Sequence, residues 1–487
     1  AAALLALGRP GGAAPAAEKR GGRVMDIDAV VTDPAGRPVT GLPRDAFRVR
    51  IDRKEMDVDY FAAVRDGVVS PANLETLSPD LVLAPGGREE ESRVPRHFLL
   101  WIDESALTPA RRRHAIAALR DFLARLGPSD EAAVVAERSR PETLAAWTSR
   151  PDALLAALDA VAARTEVRRP SAERPPGPPP DADHEPRARA AEDEAGPASR
   201  KALDDLSESL ALFADKAGKK VVIAVSEALE LPPPDLRRVI DRANAIEAVV
   251  FTVDARILGT ADDEIGARPA TRADPDAALV RLAEETGGEA VVRGADVEAG
   301  LAGILRDVST YYALGIDLKN VPADASARID VVVERPGLRV HARRTWTPED
   351  DASRVEDRVR TTLLTSAAYA DLAPVVRVGP PAREGNRTAV AIDVEVAPAD
   401  VTFVPDAGHA AAQVVYFFSA RSDRGEETPL TRTVQSFRLG PAEVRTATPL
   451  VERVELKFGK GVWRLVVNVL DTASGRMGTA RATIRAE

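Results

Sequence analysis

Apolar residues gather in unbroken runs, among them Phe98-Leu99-Leu100-Trp101-Ile102, Ala132-Ala133-Val134-Val135-Ala136, Val221-Val222-Ile223-Ala224-Val225 and Ala248-Val249-Val250-Phe251. A strand covered on both faces reads this way, whereas a strand with one wet face alternates. Between the runs, apolar positions return every three or four residues, as in Ile116, Leu119, Phe122 and Leu123, or Leu236, Val239, Ile240 and Ala243. These are the buried faces of helices. Similar stripes run through Leu154, Leu158 and Val161, Leu203, Leu206 and Leu210, Leu279 and Leu282, and Leu301, Ile304 and Val308. Thr108 and Pro109 supply an N-cap and a first turn, and Gly127 a stop. Strand and helix alternate from 96 to 318, which predicts an α/β unit with a mostly parallel sheet and helices on both faces. Such sheets bind ligands beyond the carboxyl ends of their strands, so Asp103-Glu104-Ser105, closing the first run, stands where a site belongs.

A period of two takes over toward both ends of the chain. Val24 to Thr32 and Phe47 to Asp52, with Val58 and Phe61 continuing, outline a small β module over 23–65. It is too short to be stable alone, so it is expected to pair with 326–347. There Ile329 to Glu334 and Leu338 to Arg343 flank Arg335-Pro336-Gly337, predicting a β-hairpin within 319–348. Residues 66–95 read as a linker, and 349–373 as a linker helix on Val355, Val359, Leu363 and Leu364. From 374 to 487 alternating strands predict an antiparallel β-sandwich. The Pro-rich, charge-mixed stretch 168–199 lacks the apolar content to offset the entropy of ordering and reads as a disordered surface insertion.

Composition narrows the function. The chain has 487 residues, 45% of them hydrophobic, enough for several cores. It has no cysteine, so disulfides, thiolate metal sites and cysteine nucleophiles are excluded. A net charge of -10 argues against a nucleic-acid partner. Arg111-Arg112-Arg113 is expected to be solvated helix surface. No apolar run approaches the ~20 residues of a transmembrane segment. Residues 1–22 begin Ala1-Ala2-Ala3-Leu4-Leu5-Ala6-Leu7 and continue with small residues, as in a signal-peptide remnant. The expectation is a secreted, periplasmic or cell-envelope protein, the alternative a disordered Ala-rich tail. His97, His114, His184, His341 and His409 show no ligand spacing, Ser226 lacks a Gly-x-Ser-x-Gly frame, and Gly287-Gly288 ends a helix rather than opening one.

Several pieces together resemble the bacterial VWFA-related proteins of acidobacterial type, which are built around a von Willebrand factor type A domain. The pieces are Val30-Val31-Thr32-Asp33 with Gly36-Arg37-Pro38-Val39 and Gly41-Leu42, Asp45-Ala46-Phe47, Phe61, the strand ending Asp103-Glu104-Ser105, Leu282 to Gly288, Tyr311 to Gly315, and Arg335 to Val340. They span Val24 to Trp346. The resemblance implies a Rossmann-like type A domain over 96–318, flanked by β modules, and a metal-ion-dependent adhesion site. In that site an Asp-x-Ser-x-Ser loop, a distant Thr and a distant Asp hold one Mg²⁺, leaving a position for a partner's carboxylate. Asp103 and Ser105 match the first two positions. Leu107 stands at the third, Ser226-Glu227 replaces the expected Asp-Gly, and Thr165 is the candidate threonine.

The implied metal candidates are therefore Asp103, Ser105, Thr165 and Glu227, in a degenerate site. Asp103, Glu104, Ser105, Ser226 and Glu227 are the candidate partner contacts. No catalytic residue and no cofactor is expected, with Mg²⁺ as the alternative. The reading is a non-catalytic exported protein that binds another protein. Its competitors are a Mg²⁺-dependent adhesion protein, a structural envelope component, and a hydrolase using Ser105 or Ser226 with a nearby histidine.

Overall fold

The computed structural model describes residues 24–70, 92–138, 140–164, 199–227, 233–258, 276–292, 296–318, 326–348, 351–406, 408–440, 443–445 and 448–486. The tail 1–22, Thr165 and the insertion up to 198 lie outside the described residues. Ser199, placed at the end of that insertion, is buried and helical.

The chain begins with β1 (Val24–Thr32), β2 (Phe47–Ile51), β3 (Lys54–Met56), β4 (Tyr60–Arg65), β5 (Val68–Val69) and β6 (Ser92–Arg93). In β1 the period of two sends Met25, Ile27 and Ala29 inward and leaves Asp26 and Asp28 partly exposed. β5 and β6 pair with each other and extend the sheet from β4, so the expected linker 66–95 contributes strands at both ends.

The parallel sheet follows, from β7 (Arg96–Asp103), β8 (Glu131–Glu137), β9 (Pro141–Thr148), β10 (Lys219–Ser226), β11 (Ala248–Asp254) and β12 (Ala290–Val291). Its order is β12-β11-β10-β7-β8-β9, with β9 alone antiparallel. Among the described residues six helices cover it: α1 (Pro109–Leu123), α2 (Pro151–Ala163), α3 (199–209), α4 (Pro233–Ala245), α5 (Ala277–Thr286) and α6 (Val297–Asp307). Phe98, Leu100 and Ile102 pack with α1, α2 and α6, while Leu99 and Trp101 pack with α3, α4 and α5. Because successive strand residues face opposite ways, two helix layers require the unbroken apolar run. α5 stops at Gly287, whose φ of 88° favours glycine. A Cβ on the next residue, Gly288, would lie 2.1 Å from the Val250 carbonyl oxygen.

Two expected boundaries change. β13 (Tyr311–Asp317) pairs antiparallel with β1 and β4 instead of joining the parallel sheet, so the α/β unit closes at α6 and not at 318. β14 (Ala327–Val333) pairs with β2 and with β16 (Thr345–Trp346), whereas β15 (Arg339–His341) pairs with β1. The expected hairpin is therefore an arch, carrying the chain from one sheet to the sheet facing it. The physical reason is the length of β1. Only Val24 to Ala29 pair with β13, which leaves Val30 to Thr32 to take β15 on the other side. The two sheets enclose Ile27, Phe47, Val49, Leu314 and Ile329 in one core. Tyr312 fastens the turn region to it, donating to the Val39 carbonyl at 2.9 Å and accepting from the Leu42 amide at 3.0 Å.

α7 (Asp351–Leu364) then leads to two antiparallel sheets. β17 (Val375–Val378), β18 (Ala382–Glu384), β19 (Arg387–Val396) and β23 (Leu450–Phe458) form one. β20 (Val404–Asp406), β21 (His409–Ser422), β22 (Thr431–Leu439), β24 (Gly461–Asp471) and β25 (Met477–Ala486) form the other. Ile392, Tyr416, Phe418, Phe458 and Trp463 fill the space between them. α7, expected as a linker, is packed on two sides. Val359 meets Val415, Phe417 and Met477 of the sandwich, and Leu364 joins the core beneath α3 and α4. No described helix is long and apolar enough to cross a membrane.

Candidate functional site

After β7 the chain moves to β8 on one side, and later adds β10 on the other. α1 and α4, which follow β7 and β10, lie on opposite faces, so the chain diverges at the carboxyl ends of these two strands. That is the crevice in which open α/β sheets place ligands. The register sets Glu137 opposite Asp103 and Asp254 opposite Ser226. With Val225 opposite Ile102, Ser226 comes beside Asp103, and four buried polar residues line one sheet edge.

Asp103 is 2% exposed. Ser105 Oγ donates to its Oδ1 at 2.7 Å, and Ser226 Oγ to its Oδ2 at 2.7 Å. The Ala106 amide donates to Oδ1 at 3.3 Å. Burial pushes the carboxyl up to about 6; the serine hydroxyls pull it down and the negative charge of Glu137 raises it further. No lysine or arginine among the described residues pairs with it.

Among the described residues the other acids of this edge each have a cation. Lys201 Nζ lies 3.1 Å from Glu137 and also pairs with Asp205, whose carboxyl burial pushes up to about 7. Arg164 donates to Glu104 at 2.6 Å and to Glu142 at 2.6 Å, and Arg112 stands 3.6 Å from Glu104. Arg112 also donates to the Arg164 carbonyl at 2.5 Å. Arg111 donates to Glu227 at 3.0 Å. Arg256 grips Asp254 with Nε at 2.8 Å and Nη2 at 2.7 Å.

Of the residues singled out in the sequence, Asp103, Ser105 and Ser226 are thus joined by hydrogen bonds. Glu104 and Glu227 turn to arginines on either side of them. Leu107 is 9% exposed and packs into the core beneath α1. Thr165 lies outside the described residues. The arginines correct an expectation: Arg111 and Arg112 are not solvated surface but 4% and 7% exposed. The signal was spacing, because Arg112 lies four residues before Ile116 and seven before Leu119 and so extends the apolar stripe of α1 toward the sheet edge.

No family model matches the chain, and no curated protein matches it. Among solved structures it is similar to an aerotolerance-related membrane protein from Bacteroides fragilis, at 14% identity over 44% of this chain and 98% of that one, with a TM-score of 0.29. BatB, a conserved hypothetical protein from Bacteroides thetaiotaomicron, is 15% identical over 44% of this chain and 97% of its own, with a TM-score of 0.28. A von Willebrand factor type A protein from Catenulispora acidiphila is 12% identical over 63% of this chain and 75% of its own, also at 0.28. The strand order and register given above define the fold.

A hard divalent cation needs an octahedron of oxygens, with one or two carboxylates among them. Asp103 and the hydroxyls of Ser105 and Ser226 supply one carboxylate and two neutral oxygens, and both carboxylate oxygens are already engaged. Leu107 supplies nothing. Glu104 and Glu227, the two carboxylates that could compensate, are held by guanidinium groups whose positive charge opposes a cation nearby. Among the described residues no group of three or more His, Cys, Asp or Glu is placed to hold a metal. Among the described residues the set around Asp103 does not match the ligand set expected for a resident Mg²⁺. Ser105 and Ser226 both spend their hydroxyl protons on Asp103, and no histidine among the described residues hydrogen-bonds to either.

Proposed function

We propose that this is a non-catalytic, exported protein of the acidobacterial VWFA-related type, which binds another protein at the carboxyl edge of its α/β unit without a metal ion. The observation that carries the reading is the exchange of charge at that edge. Where a type A adhesion site would set a cation among acidic and hydroxyl ligands, Arg111, Arg112 and Arg164 neutralise Glu227 and Glu104 from within the chain. Asp103 keeps its place at the end of the central strand but is satisfied by Ser105 and Ser226. The site is a degenerate adhesion site, and recognition falls to its side chains and loops.

Calorimetric titration of the full chain with Mg²⁺ and Mn²⁺ is expected to give no saturable heat. Affinity capture from the envelope fraction of the native host is expected to retain the same partner with and without chelator, and to lose it with Ser105→Ala/Glu227→Ala, the two candidate contacts that are not buried. Stoichiometric ion uptake, or a partner released by chelator, would replace this reading with the Mg²⁺-dependent one. A partner retained by the double variant would move the contact elsewhere on the molecule.

A further inference from the structure

β22 hydrogen-bonds along one edge to β21, residue for residue from Thr431 opposite Phe418 to Leu439 opposite Ala410. Along its other edge it meets no strand, and no backbone hydrogen bond leaves that edge among the described residues. Its nine residues contain no proline or bulge, and the charges that mark this edge, Arg432 and Arg438, are of one sign. On its inner face Thr433 Oγ1 and Gln435 Oε1 are enclosed and have no hydrogen-bond partner among the described residues. Tyr416 Oη, on the residue opposite Thr433 in β21, is in the same condition. Buried polar atoms are ordinarily paired, and Thr433 and Gln435, unlike Tyr416 on an interior strand, lie on the strand whose second edge is open. A strand laid against β22 would set its side chains directly beside Thr433 and Gln435.

The outer face selects the occupant. Arg432 and Arg438 flank Val434, which is 43% exposed, and give the strand two positive charges in a chain of net charge -10. Among the described residues Arg432 has no ion pair and Arg438 has one, an exposed contact with Asp406 of β20 at 3.4 Å. On β23, also an edge strand, both cations are held more closely, Arg453 by Asp393 and Lys457 by Glu384, each at 2.5 Å. A second copy of β22 is a poor fit, because antiparallel self-pairing about Gln435 sets Arg432 opposite Arg438 and like charges directly opposite repel. We propose that β22 is a strand-addition site for an extended acidic segment of another protein, carrying carboxylates opposite Arg432 and Arg438 and hydroxyl or amide side chains opposite Thr433 and Gln435. This surface is separate from the α/β edge and stands independently of the reading given for that edge.

The test uses the full chain and two fluorescent nine-residue peptides of alternating threonine and valine, one with glutamate and one with lysine at the second and eighth positions. By anisotropy at low salt the glutamate peptide is expected to bind at least tenfold more tightly than the lysine peptide. It should also slow amide exchange across 431–439. Arg432→Glu/Arg438→Glu, at two exposed positions, should reverse the order of the peptides. Equal affinities, no binding, or protection elsewhere in the chain would overturn the proposal. So would sedimentation showing that the wild-type chain dimerises and that the double variant does not. Exchange protection on the wild-type chain decides the matter even if the double variant misfolds.

Discussion

Asp103 carries a carboxyl to a place that water does not reach, and its hydrogen-bond donors are neutral: two serine hydroxyls and one amide. Glu137 is its neighbour in the sheet and repels it when both are ionised. The folded state therefore holds the Asp103 proton up to about pH 6, whereas the unfolded chain releases it near the ordinary value of 3.8. Stability contributed by this group is present below pH 4 and declines as the pH rises through 6, because only the folded state still binds the proton. Asp103→Asn removes that decline and keeps a side chain that can both donate to and accept from the serines. The variant is expected to exceed the wild type at pH 8 by at most about 3 kcal/mol, the cost of a shift of about two pH units, and to lose that advantage below pH 4. Denaturant unfolding at pH 4, 6 and 8 checks this. A difference between the two chains that does not change with pH would place the protonation elsewhere.

At the scale of elements, α1 shows why part of the site was hidden in the sequence. Its first five residues include three arginines, and a basic run on a helix reads the same whether it meets water or a sheet edge. Arg111 and Arg112 meet the edge because they lie on the stripe of Ala115, Ile116 and Leu119. Arg112→Ala is expected to cost about 3 kcal/mol, since it leaves Glu104 buried with one cation fewer and the Arg164 carbonyl without its donor. Adding Glu104→Gln should recover at least half of that loss, and a double-mutant cycle followed by tryptophan fluorescence would show it. The position of Asp103 was legible because β7 writes its burial on both faces into five consecutive residues. The pairing of β13 and β15 was not. Local alternation shows that a strand has one dry face, but β4 and β1, about 250 and about 285 residues from β13, decide which sheet it enters. The arch at Arg335-Pro336-Gly337 has the same local chemistry as a hairpin turn, and only the reach of β1 distinguishes the two.

For the whole molecule, these pairings mean that the α/β unit is inserted into the first sandwich rather than strung before or after it. Both of its ends enter and leave beside one another: the Val94 amide donates to the Gly67 carbonyl at 2.9 Å, and the Gly67 amide to the Ser309 carbonyl at 2.8 Å. Arg96, the first residue of β7, is held by Asp130, with Nε at 2.8 Å, and donates to the Ser309 hydroxyl at the junction. At the other side α7 belongs to two cores at once. Thr361 Oγ1 donates to the Ala211 carbonyl at 2.6 Å, Asp357 pairs with Arg242, and Val359 is enclosed by the C-terminal sandwich. A helix shared in this way couples the melting of the parts it joins, because neither can expose its surface without stripping the other. Val359→Lys buries a charge in the sandwich side of that helix while leaving Leu364 and Asp357 in place. Calorimetry is expected to give one endotherm spanning the α/β unit and the C-terminal sandwich in the wild type, and two in the variant, the sandwich melting first. Two transitions already present in the wild type would show that α7 is a tether, and that the edge at Asp103 and the edge of β22 act as independent surfaces.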